Sequence, residues 1–280
     1  MTRLMTRFFF AAMLAGFSLA SPSMAASVPS VVPMIQTGYQ QMYNLEFDGA
    51  HKTFAEWERQ RPDDPLGHVS NAGAYLFAEF DRLNILQAEF FVEDDRFRHA
   101  KKLTPDPAVR QAFDSELARA EQLADGILAR SPQDPDALFA KILAMGLRAD
   151  YSALIEKRYM DSLRVIKNSR AIAEKLLSLA PDYYDAYLAI GVENYMLSLK
   201  AAPVRWLLEL GGAQVDRERG LQDLRLTADK GHYLSPYARL LLAVAALRNK
   251  DRAQARDLLA ALAREFPHNR LYSEELARLQ

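Results

Sequence analysis

Histidines, carboxylates and small loops are the first places where this sequence could carry chemistry, and none stands in a catalytic or metal-binding spacing. No two of the five histidines are spaced as ligands on one helix face, and no His-Glu-x-x-His motif occurs. We therefore expect solvated or turn histidines, at His51, His68, His99, His232 and His268. The chain has no cysteine, which removes disulfides, thiolate metal sites and cysteine nucleophiles together.

Two further segments match functional loops only in part. Glu93-Asp94-Asp95 lacks the spaced oxygen ligands and central glycine of a calcium loop, which favours a solvated acidic turn. Gly211-Gly212 is not followed by the Lys-Ser or Lys-Thr of a phosphate loop. Acid–base catalysis needs two groups that converge across a cleft, and no such pair is evident. The sequence therefore predicts a protein that is not an enzyme, with no catalytic residue, metal or cofactor.

The elements that must position any site are helices, and four prolines mark their ends. A proline stops a helix because it lacks the N–H of a helix interior and clashes with the preceding turn. Small residues stand twelve positions before each proline, and large apolar residues stand five before. The prolines are Pro62, Pro132, Pro181 and Pro267; the small residues are Ala50, Ala120, Ser169 and Ala255; the large ones are Trp57, Ile127, Leu176 and Leu262. This recurring unit predicts stacked helical hairpins and an all-α fold.

The pattern resembles the tetratricopeptide repeat (TPR), whose first helix carries a small residue and whose second helix closes on a proline. Ile190-Gly191, Gly38 and Ala243 fill the small position. The resemblance implies a right-handed superhelical solenoid of about five TPR-like hairpins. Residues 31–64 and 236–269 have the standard repeat length, and three longer repeats begin at positions 65, 135 and 184.

Terminal repeats of a solenoid need a polar outer face. Residues 270–280 are therefore expected to form a C-terminal capping helix with a polar outer side at Glu274, Glu275 and Arg278.

A second resemblance covers residues 194–245. Its runs are Met196-Leu197-Ser198-Leu199, Trp206-Leu207-Leu208-Glu209-Leu210-Gly211 and Asp216-Arg217-Glu218-Arg219-Gly220-Leu221. They are similar to a block of the eukaryotic inclusion-body-clearance family of TPR proteins, and to blocks of bacterial TPR proteins. Because the match is one segment of the chain, it supports an interaction protein without implying a clearance function.

The N-terminal segment 1–25 has the pattern of a secretory signal peptide. Arg3 and Arg7 give the segment a positively charged start, and an apolar run begins at Phe8. Ser23-Met24-Ala25 then offers small residues for cleavage after Ala25. A signal without a lipid-anchor cysteine predicts a periplasmic or secreted product, with a single solenoid domain over residues 26–280. The net charge of −1 shows no excess of basic residues that would favour nucleic acid as a partner.

Two apolar segments, 83–105 and 197–215, interrupt the hairpin rhythm. We place each between the two helices of its hairpin, and we expect it to cover the solenoid edge and complete the core. The alternatives are that these segments flank a partner groove or touch a membrane surface. The membrane alternative is the weaker one, because such surface helices are usually rich in Lys and Arg.

The first helix of each hairpin lines the concave surface in the TPR family. Carried over position by position, the candidate partner-binding residues are Tyr39, Met42, Tyr43, Val192, Asn194, Tyr195, Tyr237 and Arg248. Tyrosine offers contact area with a hydroxyl, and methionine repacks easily, which suits adaptable peptide binding. The alternative is that these side chains pack against the neighbouring hairpin.

Three functional hypotheses follow. The leading one is an exported, non-catalytic TPR-like scaffold that binds a protein or peptide of the cell envelope. The second is a hydrolase or small-ligand receptor on the same helices, with the two apolar insertions as a lid over a closed pocket. The third is a structural oligomerisation unit.

Overall fold

The structure is a computed structural model that describes residues 31–85, 103–199 and 216–279. The described residues are helical and contain no strand, which confirms the prediction of an all-α protein. Their α-helices are α1 (Pro33–Tyr43), α2 (Phe47–Gln60), α3 (Pro65–Arg82), α4 (Pro107–Arg130), α5 (Pro135–Asp150), α6 (Tyr159–Leu179), α7 (Tyr187–Ser198), α8 (Arg217–Lys230), α9 (Ser235–Arg248), α10 (Arg252–Glu265) and α11 (Arg270–Arg278).

Several expectations lie outside the described residues. They are the signal peptide at 1–25, His99, Glu93-Asp94-Asp95, Gly211-Gly212 and the central parts of the two insertions, 86–102 and 200–215.

Prolines mark the helix ends, as the sequence predicts, and aspartates cap two helix starts. Helices α2, α4, α6 and α10 each end two residues before a marker proline. Helices α3 and α5 begin at Pro65 and Pro135, where the missing proline N–H would have no helical partner in any case. The Asp64 and Asp134 carboxylates precede these prolines and accept backbone N–H groups of the first turn, at 2.8 and 2.9 Å.

The helices pack in chain order, each against the next. Helices α3 and α5 also contact each other, as do α1 and α3, so the first helices of the first three hairpins lie side by side. A π-helical turn (Tyr151–Ile155) extends α5 before α6 begins, and a 3-10 turn (Tyr184–Ala186) precedes α7. No helix in the three described ranges has the length and apolar character that crossing a membrane requires.

Glycines set the closest helix crossings. A Cβ added at Gly38 would lie 2.3 Å from the Phe54 ring, so the small position of α1 receives a large side chain of α2, as predicted. Helices α7 and α8 approach through Gly191 and Gly220, where an added Cβ would meet backbone atoms at 3.0 and 2.8 Å. Neither crossing leaves room for a side chain.

Helix α11 lies where the capping helix was expected, but not all of its predicted polar side faces solvent. Glu275 is buried at 7% exposure and pairs with Arg278 at 2.8 Å. The expectation that Glu275 faces solvent is therefore wrong, because this side of α11 packs on the rest of the protein.

The two ends of the described chain meet. The turn of residues 231–234, which precedes α9, carries Tyr233, and the Tyr233 ring stacks on Tyr39 of α1 at 5.4 Å. The Val32 N–H donates to the Tyr233 hydroxyl at 2.9 Å, and the Tyr43 hydroxyl donates to the Tyr233 carbonyl at 3.0 Å. The Asn269 amide donates to the Tyr43 carbonyl at 2.7 Å. We call these four contacts the closure contact.

At the α7–α8 crossing, a glycine-to-alanine substitution should destabilise the protein, although the same substitution usually stabilises a helix. Replacing a helical glycine with alanine usually stabilises a helix by about 1 kcal/mol. Gly126 of α4 should follow this rule, because its added Cβ meets nothing within 4 Å. Gly220→Ala should instead lower the free energy of unfolding by about 1–3 kcal/mol, since the new methyl group meets backbone that cannot yield. Urea unfolding of both variants tests this, and stabilisation by Gly220→Ala would show that the crossing is looser than described.

Candidate functional site

A cavity of about 110 Å³ lies between the helices. Helices α1, α3, α5, α6, α7 and α9 all contribute to its wall, so residues that are distant in the sequence converge on one space. The lining residues are Tyr39, Met42, Tyr43, Gly73, Phe77, Ile142, Leu143, Gly146, Leu147, Ala149, Asp150, Ile166, Ser169, Asp185, Leu188, Ala189, Val192, Leu234 and Tyr237.

The wall is mainly apolar and carries few polar groups. These are the carboxylates of Asp150 and Asp185, the Ser169 hydroxyl and three tyrosine hydroxyls. Burial raises the pKa of Tyr39, Tyr43 and Tyr237 above the usual tyrosine value, so these hydroxyls stay neutral at physiological pH. The charge of the cavity therefore depends on the two carboxylates.

Asp150 is the carboxylate available for chemistry. It is the last residue of α5, is partly buried and lines the cavity. Burial raises its pKa to about 7, and a hydrogen bond from Tyr237 lowers it by a smaller amount. Asp150 therefore changes charge near neutral pH and can accept a hydrogen bond or pair with a cation.

Asp185 has a structural role. Its carboxylate accepts backbone N–H groups from His232, Tyr233 and Leu234, at 2.9, 3.1 and 2.8 Å. Burial raises the pKa of Asp185, and the three N–H donors act in the opposite direction. This carboxylate anchors the 231–234 turn and, through Tyr233, the closure contact.

Five predicted partner-binding residues line the cavity: Tyr39, Met42, Tyr43, Val192 and Tyr237. The closure contact places the first three in the interior, with exposures of 6% or less. Tyr39 also accepts a hydrogen bond from Ser70 at 3.4 Å. These side chains thus gather around one interior cavity.

The other three predicted residues lie away from the cavity. Asn194 is fully buried beside Gly220, and its side-chain oxygen accepts a hydrogen bond from Arg170 at 2.9 Å. Tyr195 packs in a smaller core cluster with residues of α8 and α9. Arg248 is half-buried at the last residue of α9. Both Asn194 and Tyr195 therefore pack against the neighbouring hairpin, which is the alternative that the sequence left open.

Sequence reasoning missed Asp150, and it misplaced two histidines. Nothing in the local sequence distinguishes Asp150 from other aspartates, because its hydrogen-bond partner Tyr237 comes from α9, which is distant in the sequence. His51 and His68 were expected to be solvated or in turns; this is wrong, since they lie within α2 and α3, partly buried and hydrogen-bonded. His268 is exposed and His232 lies in a turn, as expected.

Comparison with known proteins identifies no relative, because no family model and no curated protein matches the chain.

The charge of Asp150 should make stability depend on pH. The folded state holds the Asp150 proton more tightly than the unfolded chain, in which the pKa is near 3.8. Ionisation therefore lowers stability as pH rises from about 4 to 7. Asp150→Asn keeps an acceptor for Tyr237 and removes the charge, so it should raise the free energy of unfolding by roughly 1–2 kcal/mol at pH 8 and by less at pH 5.

Urea unfolding at the two pH values measures this difference. The control is Asp229→Asn on α8, which replaces an exposed aspartate and should show the same small effect at both pH values. An Asp150→Asn gain that is no larger at pH 8 than at pH 5 would exclude the assigned environment.

Proposed function

We propose that this chain is a non-catalytic, TPR-like scaffold of the cell envelope whose cavity binds an apolar side chain of a protein or peptide partner. The full proposal is a right-handed superhelix of about five hairpins with α11 as its cap. The observation that carries the proposed function is the cavity itself, on which α1, α3, α5, α7 and α9 converge.

An occupant of the cavity would gain binding free energy by removing the apolar wall from water, at about 25 cal/mol for each Å² that it buries.

The size of the cavity favours a single side chain over a larger ligand. Pockets for drug-sized molecules occupy about 300–1,000 Å³, whereas a cavity of 110 Å³ accommodates a few heavy atoms. Binding energy at protein interfaces is concentrated in a few buried anchor residues. We expect the anchor to be an apolar group with one hydrogen-bond donor, because Asp150 is the carboxylate that remains available in the wall.

Binding is proposed rather than catalysis because the wall offers one reactive acid. The described lining residues include two carboxylates, and one of them, Asp185, already accepts three backbone N–H groups. Asp150 therefore has no second available carboxylate or histidine beside it for acid–base chemistry.

A second candidate is a receptor for a small apolar molecule with one donor group. The mainly apolar wall with its few polar groups favours this candidate, because pockets for small molecules have this composition.

Filling the cavity tests the proposed function. Gly146 lines the cavity, and a Cβ added there meets nothing within 4 Å, so Gly146→Leu should place its side chain in the empty space. The variant should fold at least as stably as the wild type, because leucine is a better helix former than glycine. Gly126→Leu is the matched control, in a helix and with equal free space, but away from the cavity.

The measurement is capture of envelope proteins on the immobilised wild type and the two variants, followed by identification of the bound species. Gly146→Leu should lose at least tenfold in capture of a specific partner that the wild type and Gly126→Leu retain. Equal capture by all three proteins would refute the cavity as the binding site. Specific stabilisation of the wild type by toluene, absent in Gly146→Leu and without a protein partner, would favour the small-molecule receptor.

A further inference from the structure

Three titratable side chains from three helices converge at a place remote in sequence from Asp150. They are Glu58 of α2, His68 of α3 and Glu116 of α4, and one ligand atom of each lies within 4.8 Å of the other two. His68 Nδ1 is 2.7 Å from Glu116 Oε2 and 3.7 Å from Glu58 Oε2. The side chains are 16–21% exposed, so the cluster is shielded and still reachable from solvent.

A second layer of side chains orients the two carboxylates. The Asn71 amide nitrogen lies 3.0 Å from Glu58 Oε1 and 3.4 Å from Glu116 Oε1, so each carboxylate uses one oxygen towards Asn71. The other oxygen of each carboxylate points towards His68 Nδ1. The Asn71 side-chain oxygen is in turn 2.6 Å from His51 Nδ1. Such outer partners are typical of metal sites, where they fix the direction of the ligands.

We propose that Glu58, His68 and Glu116 form a binding site for one Zn²⁺ ion. Imidazole nitrogen and carboxylate oxygen are both common zinc ligands. Two carboxylates with a neutral imidazole also balance the charge of a divalent cation. Mg²⁺ and Ca²⁺ suit the site less well, because they prefer oxygen ligands alone.

The geometry needs only a small adjustment to hold the ion. Zinc bonds of about 2.0–2.2 Å in a tetrahedral site place neighbouring ligand atoms about 3.3 Å apart. The two distances from His68 Nδ1 lie on either side of this value. Side-chain adjustments that bring the three ligand atoms, which lie within 4.8 Å of one another, to this spacing would make room for the ion. A fourth position would remain for water, as in zinc sites with three protein ligands.

Electrostatics supports the same conclusion. The Oε2 atoms of Glu58 and Glu116 both face His68 Nδ1, so the two carboxylates repel each other when both are ionised. A divalent cation would relieve this repulsion and join α2, α3 and α4. The alternative is a network in which a protonated His68 bridges the two glutamates without a metal.

Zinc titration of the purified protein after chelator treatment tests the proposal. Isothermal calorimetry with ZnCl₂ should show one ion per chain, and zinc should raise the melting temperature. Glu116→Gln keeps the side-chain shape and should weaken binding at least tenfold. Glu121→Gln is its matched control, since Glu121 lies on the same helix and pairs with Arg148 outside the cluster. His68→Asn should lose binding, whereas His268→Asn at the exposed Glu46 pair should not.

A measurement on the wild type keeps the proposal testable if a variant fails to fold. Paramagnetic Co²⁺ should broaden the NMR signals of the His68 ring at one equivalent and leave those of His268 sharp. The proposal is overturned if the wild type does not bind Zn²⁺, if Glu116→Gln binds it as tightly as the wild type, or if Co²⁺ spares His68.

Discussion

The arrangement of the molecule depends on one buried carboxylate. Asp185 accepts three consecutive backbone N–H groups of the 231–234 turn and is itself only 2% exposed. Hydrogen bonds to a buried charge are strong, and leaving such donors unpaired is costly. The turn is therefore held in one conformation, which directs the Tyr233 ring onto Tyr39 and its hydroxyl to the Val32 N–H. The contact between the first helix and the later part of the chain follows from this local arrangement.

The cavity is a consequence of that closure. Helices α3 and α9 meet at its wall through Phe77 and Tyr237, whose rings contact edge to face. Rings of this size pack efficiently against each other and leave a gap where smaller side chains meet. Gly73 and Gly146 border the gap, where longer side chains would fill it. The same packing thus leaves an apolar space that Asp150 borders.

The sequence predicted well what is encoded locally. The marker prolines and the aspartates at 64 and 134 set helix boundaries through bonds within a few residues, so α3 and α5 begin where the pattern places them. The inward side of α1 was also predictable, because helical periodicity places Tyr39, Met42 and Tyr43 on one face. What that face meets was not predictable. The Val32–Tyr233 hydrogen bond joins residues 201 positions apart and depends on the accumulated angles between all intervening helices.

Contacts between helices that are distant in the sequence also explain why the sequence did not reveal the functional polar groups. Glu58, His68 and Glu116 belong to three helices and have no spacing that a motif could describe. Asp150 acquires its raised pKa from burial in a wall that Tyr237 completes. Chemistry in a stack of hairpins arises between the repeats, whereas a sequence pattern describes each repeat by itself.

The distance between the first and last hairpins tests the central claim, the closure contact, most directly. The chain has no cysteine, so spin labels can be placed at Glu46→Cys and His268→Cys, two exposed positions whose native side chains touch. An exposed ion pair contributes little, so this replacement should leave the fold intact. Pulsed electron paramagnetic resonance should give a single narrow distribution below about 25 Å. An open solenoid, with neighbouring helices 8–10 Å apart, would separate the labels by roughly 40 Å. That result, or a broad distribution, would contradict the closed arrangement.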